Sequence, residues 1–347
     1  MKALIYYGPG DIRMEERDKP TPGPRDVVVK VARAGICGSD LKAYLDDGHS
    51  VGILCKGEMG VDGQFGHEMV GTVCELGSDV KTIALNDRVF VNPMTCRKTG
   101  MLSCDMSGAF SEYVLVEEAA YGYNLRKLSE NTSFDEAVLT EPLGVAIHGK
   151  NAAGVKPWEN VVIFGAGTIG LCALQAAIAS GCRRPVIVDH HANRLALAEK
   201  IGGVGFNSAE DPDVEAFLRD HFGYVVSPFM EKNVDVDVWL DCAGTGSILN
   251  DISRMSKSGA RVAVLAVYRK PVELVMGPIG SHEIQISGTL GYTQNDITES
   301  CNIIERHGSS FSSVITHRFP HEKAVEAFQT AADKSTGAIK VIIDYDV

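Results

Sequence analysis

The hydrophobic pattern of this chain changes near residue 155. Before that point, short runs of β-branched and aromatic residues are separated by clusters of proline and glycine, such as 21–24. This pattern is typical of a β-rich structure with many turns. It predicts strands at 2–7, 26–33, 69–76, 88–92 and 111–116, and a capped helix start at 132–136.

After residue 155, predicted strands and helices alternate. Strands are expected at 161–164, 185–189, 234–241 and 260–267, and helices near 171–179, 192–201 and 213–221. Alternation of this kind predicts a parallel sheet wound on both faces. Beyond Ser287, a strand and two amphipathic helices near 296–307 and 321–333 are expected to return to the first domain.

The predicted fold class is therefore α/β with two domains. We expect residues 1–152 together with 288–347 to form one β-rich domain, and residues 153–287 to form a doubly wound, parallel-sheet domain. A cleft between two such domains is where a small-molecule site is expected.

A glycine motif directly follows the first strand of the alternating part. The first glycine permits a tight turn, the second lets the backbone approach a pyrophosphate, and the third lets the helix pack on the strand. A second strand then ends in an acid suited to binding ribose hydroxyls. The order of strand, turn, helix, strand and acid predicts a dinucleotide site. Its predicted contacts are Gly165, Gly167, Thr168, Ile169, Gly170 and Asp189.

Asp189 also bears on the choice between NAD and NADP. A carboxylate at this position chelates the ribose hydroxyls of NAD and repels the 2′-phosphate of NADP. His190, His191 and Arg194 follow it, either softening that repulsion or serving only as solvated residues at a helix start. We expect NAD, with Arg194 among its contacts, and NADP as the less favoured cofactor.

Residues that bear metal-ligand atoms occur at three places in the first domain. Cys37 supplies a thiol, His67 and Glu68 supply an imidazole and a carboxylate, and Glu141 supplies a further carboxylate. Zn²⁺ prefers such ligands, and three of them with a fourth position open define a catalytic zinc rather than a structural one. Taken singly, the cysteine and histidine also fit ordinary core positions, and Glu141 before Pro142 also fits a surface acid ahead of a turn.

Composition excludes several other classes of protein. The net charge of −12 disfavours nucleic acid and anionic membrane surfaces. The nine cysteines lack the regular spacing of a disulfide scaffold, so we expect reduced thiols. Residues 161–182 carry no charge, but the glycines among them favour a buried strand and helix over a membrane span. No basic start precedes an apolar core at the N terminus, so we expect a cytoplasmic protein.

Together, the two sets of motifs resemble the zinc-dependent medium-chain dehydrogenase/reductase superfamily, and within it the sorbitol dehydrogenase and 2,3-butanediol dehydrogenase branch. The resemblance covers nearly the whole chain and includes 108–113, 288–293 and 315–318. It implies a GroES-like catalytic domain beside a Rossmann domain. It also implies hydride transfer between NAD and a secondary alcohol, polyol or vicinal diol. The expected partners are a small alcohol or ketone and further copies of the chain.

The resemblance assigns roles to the residues around the metal. Cys37 and His67 are implied as zinc ligands. Glu68 and Glu141 occupy two acidic positions of the family, and both remain candidates for the third ligand because relatives differ in which one binds the metal.

The resemblance also implies roles for residues around these ligands. Ser39 is implied as the hydroxyl that hydrogen-bonds the substrate oxygen, and Asp40 as the carboxylate that orients His67. Many relatives have a histidine two residues beyond that aspartate, where this chain has Lys42, so the outer end of the proton path stays open. Further cofactor contacts are implied at Cys242, Ala243, Val267 and Leu290.

One departure from the family concerns a second metal. Many relatives hold a structural zinc with four cysteines spaced C-x2-C-x2-C-x7-C. Cys96 and Cys104 reproduce only the last spacing, and the two upstream positions are Phe90 and Pro93. Two thiols do not complete a tetrahedral site, so we expect one catalytic zinc per chain and no structural zinc.

The sequence leaves several alternative functions open. An L-threonine 3-dehydrogenase or a sugar-alcohol-phosphate dehydrogenase is the alternative enzyme, and an inactive nucleotide-binding relative is the alternative that is not an enzyme. Zinc-free reductases of the superfamily lack the cysteine and the His-Glu pair. We expect a homodimer or homotetramer assembled through an edge strand of the Rossmann sheet, with 261–267 or 271–276 as the predicted edge.

Overall fold

The computed structural model describes residues 1–45, 63–95, 108–227, 230–268 and 270–346. Contacts divide the chain into two compact units. The first comprises Met1–Glu141 and Ile304–Val347, and the second comprises Pro142–Ile303. The division expected from sequence lies instead at 152/153 and 287/288. Each observed boundary falls inside a helix, where no linker composition marks it.

The helices and strands are numbered in chain order. The strands are β1 (Lys2–Gly8), β2 (Asp11–Glu16), β3 (Val27–Gly35), β4 (Glu68–Leu76), β5 (Arg88–Val91), β6 (Tyr113–Val116), β7 (Leu125–Lys127), β8 (Val161–Phe164), β9 (Val186–Asp189), β10 (Val204–Asn207), β11 (Tyr224–Val226), β12 (Lys232–Val234), β13 (Val238–Asp241), β14 (Arg261–Val264), β15 (Gln285–Gly288), β16 (Ile315–Pro320) and β17 (Lys340–Asp344). The helices are α1 (Gly38–Leu45), α2 (Phe134–Ala137), α3 (Thr140–Ala152), α4 (Thr168–Ala179), α5 (Ala192–Ile201), α6 (Val214–Phe222), α7 (Ile248–Met255), α8 (Met276–Ser281), α9 (Gln294–Phe311) and α10 (Ala324–Ala332).

The first unit is built on a seven-stranded sheet with β3 near its centre. The strand order is β16-β17-β3-β4-β5-β7, and β6 also pairs with β3. The antiparallel register sets Gly35 opposite Glu68 on β4 and opposite Ile342 on β17. Three strands that are distant in sequence therefore meet at the end of β3.

Three buried phenylalanine rings pack together within the largely aliphatic core of the first unit. The ring of Phe110 lies 4.9 Å from that of Phe65 and 5.2 Å from that of Phe328, both edge to face. This geometry is the favourable one for aromatic pairs. The cluster ties the C-terminal helix α10 to the segments that flank His67.

The second unit contains a six-stranded parallel sheet in the order β10-β9-β8-β13-β14-β15. If these six strands are numbered 1 to 6 along the chain, their order in the sheet is 3-2-1-4-5-6. This is the strand order of a doubly wound dinucleotide-binding fold. All four residues of β8 are buried, as expected of a strand covered on both faces. The expected parallel sheet is therefore confirmed.

The strand predicted at 234–241 is interrupted, and this part of the prediction is wrong. β12 ends at Val234, where it pairs with β11 in a hairpin, and β13 begins at Val238. Asp235 and Asp237 lie between the two strands and both form ion pairs with Lys257. Charged side chains that reach out to a lysine do not fit a buried parallel strand, which explains the break.

The prediction that 261–267 supplies a sheet edge is also wrong. β14 lies between β13 and β15 and pairs with both. The edge strands of this sheet are β10 and β15, and no strand occurs at 271–276 in the described chain. β15 is a short segment with polar residues and glycine, so it lacks the hydrophobic signal on which the prediction relied.

Helix α3 was not predicted. Pro142 lies in its first turn, where a missing amide hydrogen costs no intrahelical bond. No helix within the described ranges is both long enough and apolar enough to cross a membrane.

Candidate active site

Three side chains with metal-ligand atoms converge in the first unit. The Cys37 sulfur, a His67 ring nitrogen and a Glu68 carboxylate oxygen all lie within 4.8 Å of one another. His67 is 6% exposed and Glu68 is 1% exposed. Sheet register explains the convergence, because Gly35 pairs with Glu68 and Cys37 follows two residues later. The donor set of sulfur, nitrogen and oxygen fits Zn²⁺.

The Glu68 carboxylate occupies space that a side chain at position 35 would fill. A Cβ at Gly35 would lie 2.0 Å from the Oε2 atom of Glu68 and 3.1 Å from Cε of Lys340. The contact with Oε2 is far shorter than any that real Cβ atoms make, and the contact with Cε is tighter than most. Glycine at this position is therefore required for the observed placement of Glu68.

Lys340, on β17, is a residue of the site that the sequence analysis missed. Its ammonium pairs with the Glu68 carboxylate, both side chains are 1% exposed, and it donates to the Ile36 carbonyl at 3.1 Å. Burial alone would lower the pKa of Lys340, but the negative charges of Glu68 and Cys37 outweigh burial and raise it. No sequence signal marks a lysine in a C-terminal strand as part of a metal site.

Asp40 lies beside two of the predicted ligands. Its Oδ2 atom accepts a hydrogen bond of 2.9 Å from the Cys37 amide, and its Oδ1 atom lies 3.7 Å from Nδ1 of His67. Burial lowers the pKa of His67, but the charges of Asp40 and Cys37 outweigh burial and raise the pKa well above its usual value. The surroundings of His67 thus favour positive charge. Ser39 is partly buried in the first turn of α1.

Glu141 is buried in the first turn of α3. Its carboxylate does not belong to the set of ligand atoms from Cys37, His67 and Glu68 that lie within 4.8 Å of one another. Burial raises the pKa of Glu141 to about 7, with a further upward contribution from Glu68 and a downward one from His67. The carboxyl of Glu141 therefore interacts electrostatically with His67 and Glu68. Of the two acidic candidates, Glu68 is the one that the structure brings together with Cys37 and His67.

The glycine motif in the second unit adopts the predicted strand–turn–helix geometry. Gly165 has φ of +94°, a conformation that glycine adopts without strain. A Cβ at Gly170 would lie 1.7 Å from the Gly165 carbonyl oxygen, whereas one at Gly167 would meet nothing within 4 Å. Helix α4 begins after Gly167 with no side-chain cap in the described chain. The residues present therefore fit a dinucleotide whose phosphates bind at the helix N terminus.

Asp189 ends β9 and is 7% exposed. Its Oδ2 atom accepts a hydrogen bond from the Ala166 amide at 2.7 Å. Its Oδ1 atom accepts from the amide of His191 at 2.9 Å and contacts Nδ1 of the same residue at 2.7 Å. Burial would raise the pKa of Asp189, but these hydrogen bonds and Arg194 lower it.

The other predicted cofactor contacts lie in loops of the second unit. Val267 and Leu290 are exposed. Cys242 and Ala243 follow β13, and a Cβ at Gly165 would lie 3.1 Å from the Ala243 Cβ.

The loop that contains Ala243 is held by a residue that the sequence analysis did not single out. The Oδ1 atom of Asp241 accepts hydrogen bonds of 3.0 Å from the amides of Ala243 and Gly244. Its Oδ2 atom accepts one of 2.6 Å from the Tyr268 hydroxyl. Asp241 is therefore a structural anchor beside the glycine motif.

The cysteines that bear on a second zinc, Cys96 and Cys104, lie outside the described residues. Phe90 is buried on β5, and Pro93 is also buried. The expectation of a single zinc stays a prediction.

Two family patterns match the chain, one in each half of the sequence. Residues 23–125 match the alcohol dehydrogenase GroES-like domain, and residues 168–306 match the zinc-binding dehydrogenase family. These matches confirm both parts of the predicted fold. They define the class of protein as a zinc-type, dinucleotide-linked dehydrogenase.

Similarity to individual proteins narrows this class of dehydrogenases to one branch. The chain is 30% identical to sorbitol dehydrogenase of Bos taurus over 358 residues, which cover 99% of this chain and 96% of that protein. It is 28% identical to D-xylulose reductase of Saccharomyces cerevisiae, with 99% and 97% covered. The 2R,3R-butanediol dehydrogenase of Bacillus subtilis has a similar structure, with a TM-score of 0.84, 25% identity and 99% of each chain covered. The chain belongs to the zinc-dependent medium-chain dehydrogenase/reductase superfamily, in its sorbitol and butanediol dehydrogenase branch.

Proposed function

We propose that this chain interconverts a secondary alcohol, polyol or vicinal diol and the corresponding ketone with NAD, at a zinc held by Cys37, His67 and Glu68. The convergence of these three side chains within 4.8 Å supports the proposal most directly. The substrate class rests on the sorbitol and butanediol dehydrogenases among its relatives.

The chain's own residues prepare this site in several ways. The chemistry that Zn²⁺ and NAD supply when bound is polarisation of an alcohol oxygen and acceptance of a hydride. Asp40 fixes the Cys37 backbone and faces His67, and Lys340 holds the Glu68 carboxylate. Ser39 is the proposed hydroxyl that hydrogen-bonds the substrate oxygen. Glu141 is the proposed second acid beside the metal, with Glu68 as the direct ligand.

NAD is the proposed main cofactor. Asp189 supports this choice, because it is ionised and lies at the end of the second strand of the dinucleotide fold. The proposed binding of NAD rests on the glycine motif and on Asp189.

The test of this function is an assay of alcohols with NAD. The panel includes sorbitol, xylitol, 2,3-butanediol, L-threonine and a sugar-alcohol phosphate, and formation of the reduced cofactor is followed by absorbance. We expect oxidation of a polyol or diol by the wild type, and at least a ~10³-fold loss in Cys37→Ser, because zinc-dependent polarisation contributes several kcal/mol. Preference for threonine or for the phosphate would refute the proposed substrate class, and full activity of Cys37→Ser would refute the metal.

One zinc per subunit is the proposed metal content. It rests on the absence of two of the four cysteines that the structural site of relatives requires. Metal analysis that finds two tightly bound zinc ions per subunit would contradict it.

A homo-oligomer formed through β15 is the proposed assembly. β15 is one of the two edge strands of the six-stranded sheet, and Ile286 on it is exposed, as are Val275 and Met276 nearby in sequence. Unpaired edges with apolar side chains favour pairing with another chain. We expect light scattering to give at least twice the mass of 37.3 kDa, and Ile286→Lys to lower it. Val226→Lys, at an exposed apolar position on β11, is the control, and an unchanged mass in Ile286→Lys would contradict this assembly.

A further inference from the structure

The acid expected to bind the adenosine ribose is already engaged within the chain. Both carboxylate oxygens of Asp189 accept internal hydrogen bonds, one from Ala166 and the other from His191. An ionised carboxylate only accepts hydrogen bonds, so Nδ1 of His191 carries the proton and donates it at 2.7 Å. The imidazole thus occupies acceptor capacity that a ribose 2′-hydroxyl would use.

Positively charged groups and hydrogen-bond donors lie close to Asp189. The Nη1 atom of Arg194 lies 3.8 Å from Oδ2 of Asp189. His191 is the N-cap of α5, which has ten residues and no side-chain cap at this end in the described chain. The N terminus of a helix carries partial positive charge that favours phosphate. The His191 side chain is 50% exposed, so one edge of its ring remains open to a ligand.

We propose that His191 makes the dinucleotide site accept NADP as well as NAD. The imidazole satisfies Asp189 internally, while the Arg194 guanidinium and the positive end of α5 favour a 2′-phosphate. A chain with a formal charge of −12 repels anions over most of its surface, so affinity for this phosphate requires such a local arrangement. The inference rests on the proposed dinucleotide site but not on the proposed substrate.

His190 provides a matched control. It is the preceding histidine and is also exposed, but its Nδ1 atom contacts the Ser208 hydroxyl at 3.1 Å instead of Asp189. A general effect of histidine charge near the site would appear in both variants. An effect through Asp189 appears in the His191 variant alone.

The experiment compares two adenosine nucleotides that differ only in the 2′-phosphate. Dissociation constants of 5′-AMP and adenosine 2′,5′-bisphosphate are measured by titration calorimetry on the purified full chain, with no substrate and no turnover. For the wild type we expect the two constants to agree within about tenfold, or about 1.4 kcal/mol. In His191→Ser we expect binding of the bisphosphate to weaken about tenfold and binding of 5′-AMP to stay equal or tighten. His190→Ser should match the wild type, and Arg194→Gln should weaken the bisphosphate selectively.

The outcomes separate this inference from the proposed function. A wild type that binds 5′-AMP more than a hundredfold tighter than the bisphosphate overturns the inference and leaves NAD as the cofactor. Equal changes in His191→Ser and His190→Ser also overturn it. If neither nucleotide nor NAD binds, the dinucleotide site fails and the inference fails with it. If both nucleotides bind as expected and no alcohol is oxidised, only the proposed reaction fails.

Discussion

At the scale of single residues, the candidate metal site depends on a glycine and a buried lysine as well as on the three residues that carry ligand atoms. Gly35 leaves the space that the Glu68 carboxylate fills, and Lys340 compensates the charge of that carboxylate where water is excluded. The sequence left Glu68 and Glu141 both open as the third ligand. Cys37 and His67 were predictable because sulfur and nitrogen ligands stand in a recognisable order. Gly35 and Lys340 were not, because their importance follows from strand register rather than residue type.

Adding one methyl group at position 35 is expected to disrupt the site. In Gly35→Ala the new Cβ displaces the Glu68 carboxylate, so we expect loss of most bound zinc and a destabilisation of about 1–3 kcal/mol. Zinc per subunit and the free energy of unfolding are the measurements. Gly38→Ala is the control, because a Cβ there meets nothing within 4 Å. Equal zinc content in the two variants would contradict the steric argument.

Removing the positive charge from Lys340 is expected to cost stability. Lys340→Met leaves the Glu68 carboxylate buried without its partner, and breaking such a pair costs about 3–5 kcal/mol. Denaturant unfolding of the metal-free protein measures this change. The double variant Lys340→Met/Glu68→Gln removes both charges and should recover much of the loss. A double variant whose cost equals the sum of the two single costs would show that the two groups are not coupled.

At the scale of helices and strands, the sequence predicts best where one pattern dominates. β8 and α5 have the predicted bounds, and the helix start at 132–136 proves to be a capping box between Ser133 and Glu136. Helix α3 has apolar residues and glycines all round, with no periodic polar face, so no pattern separated it from a loop. β15 was missed for a different reason, because its four residues include two polar side chains and a glycine and form no hydrophobic run.

One buried histidine at the end of β16 makes stability depend on pH. His321 donates from Nε2 to the Phe110 carbonyl at 3.0 Å, and burial lowers the pKa of His321 despite that bond and the nearby carboxylates of Glu112 and Glu322. The unfolded state therefore binds a proton more readily than the folded state. We expect stability to fall as pH drops below about 6.5, towards the lowered folded value.

Comparison with a variant isolates this contribution. The free energy of unfolding is measured at several pH values between 5 and 8 for the wild type and His321→Gln. The variant should be less stable at pH 8 and should lose less stability on acidification. Parallel curves for the two proteins would show that His321 does not contribute to the pH dependence.

At the scale of the whole molecule, the two motif sets predicted both architectures, but not the boundaries between the units. The alternation of strands and helices predicted the parallel sheet of the second unit, and short, turn-separated strands predicted the β-rich first unit, but the strand orders come from the structure. The boundaries lie within helices α3 and α9, so composition could not mark them. The site of the first unit combines β3, β4 and β17, and only the folded register brings residue 340 to residue 68.

The central claim is that Cys37, His67 and Glu68 together hold the catalytic zinc. Its most direct test is the zinc content of purified wild-type protein and of Cys37→Ser, measured by mass spectrometry of the metal after dialysis against metal-free buffer. We predict about one zinc per subunit in the wild type and nearly none in the variant, because two remaining ligands do not complete the site. A Cys37→Ser protein that retains as much zinc as the wild type would contradict the account.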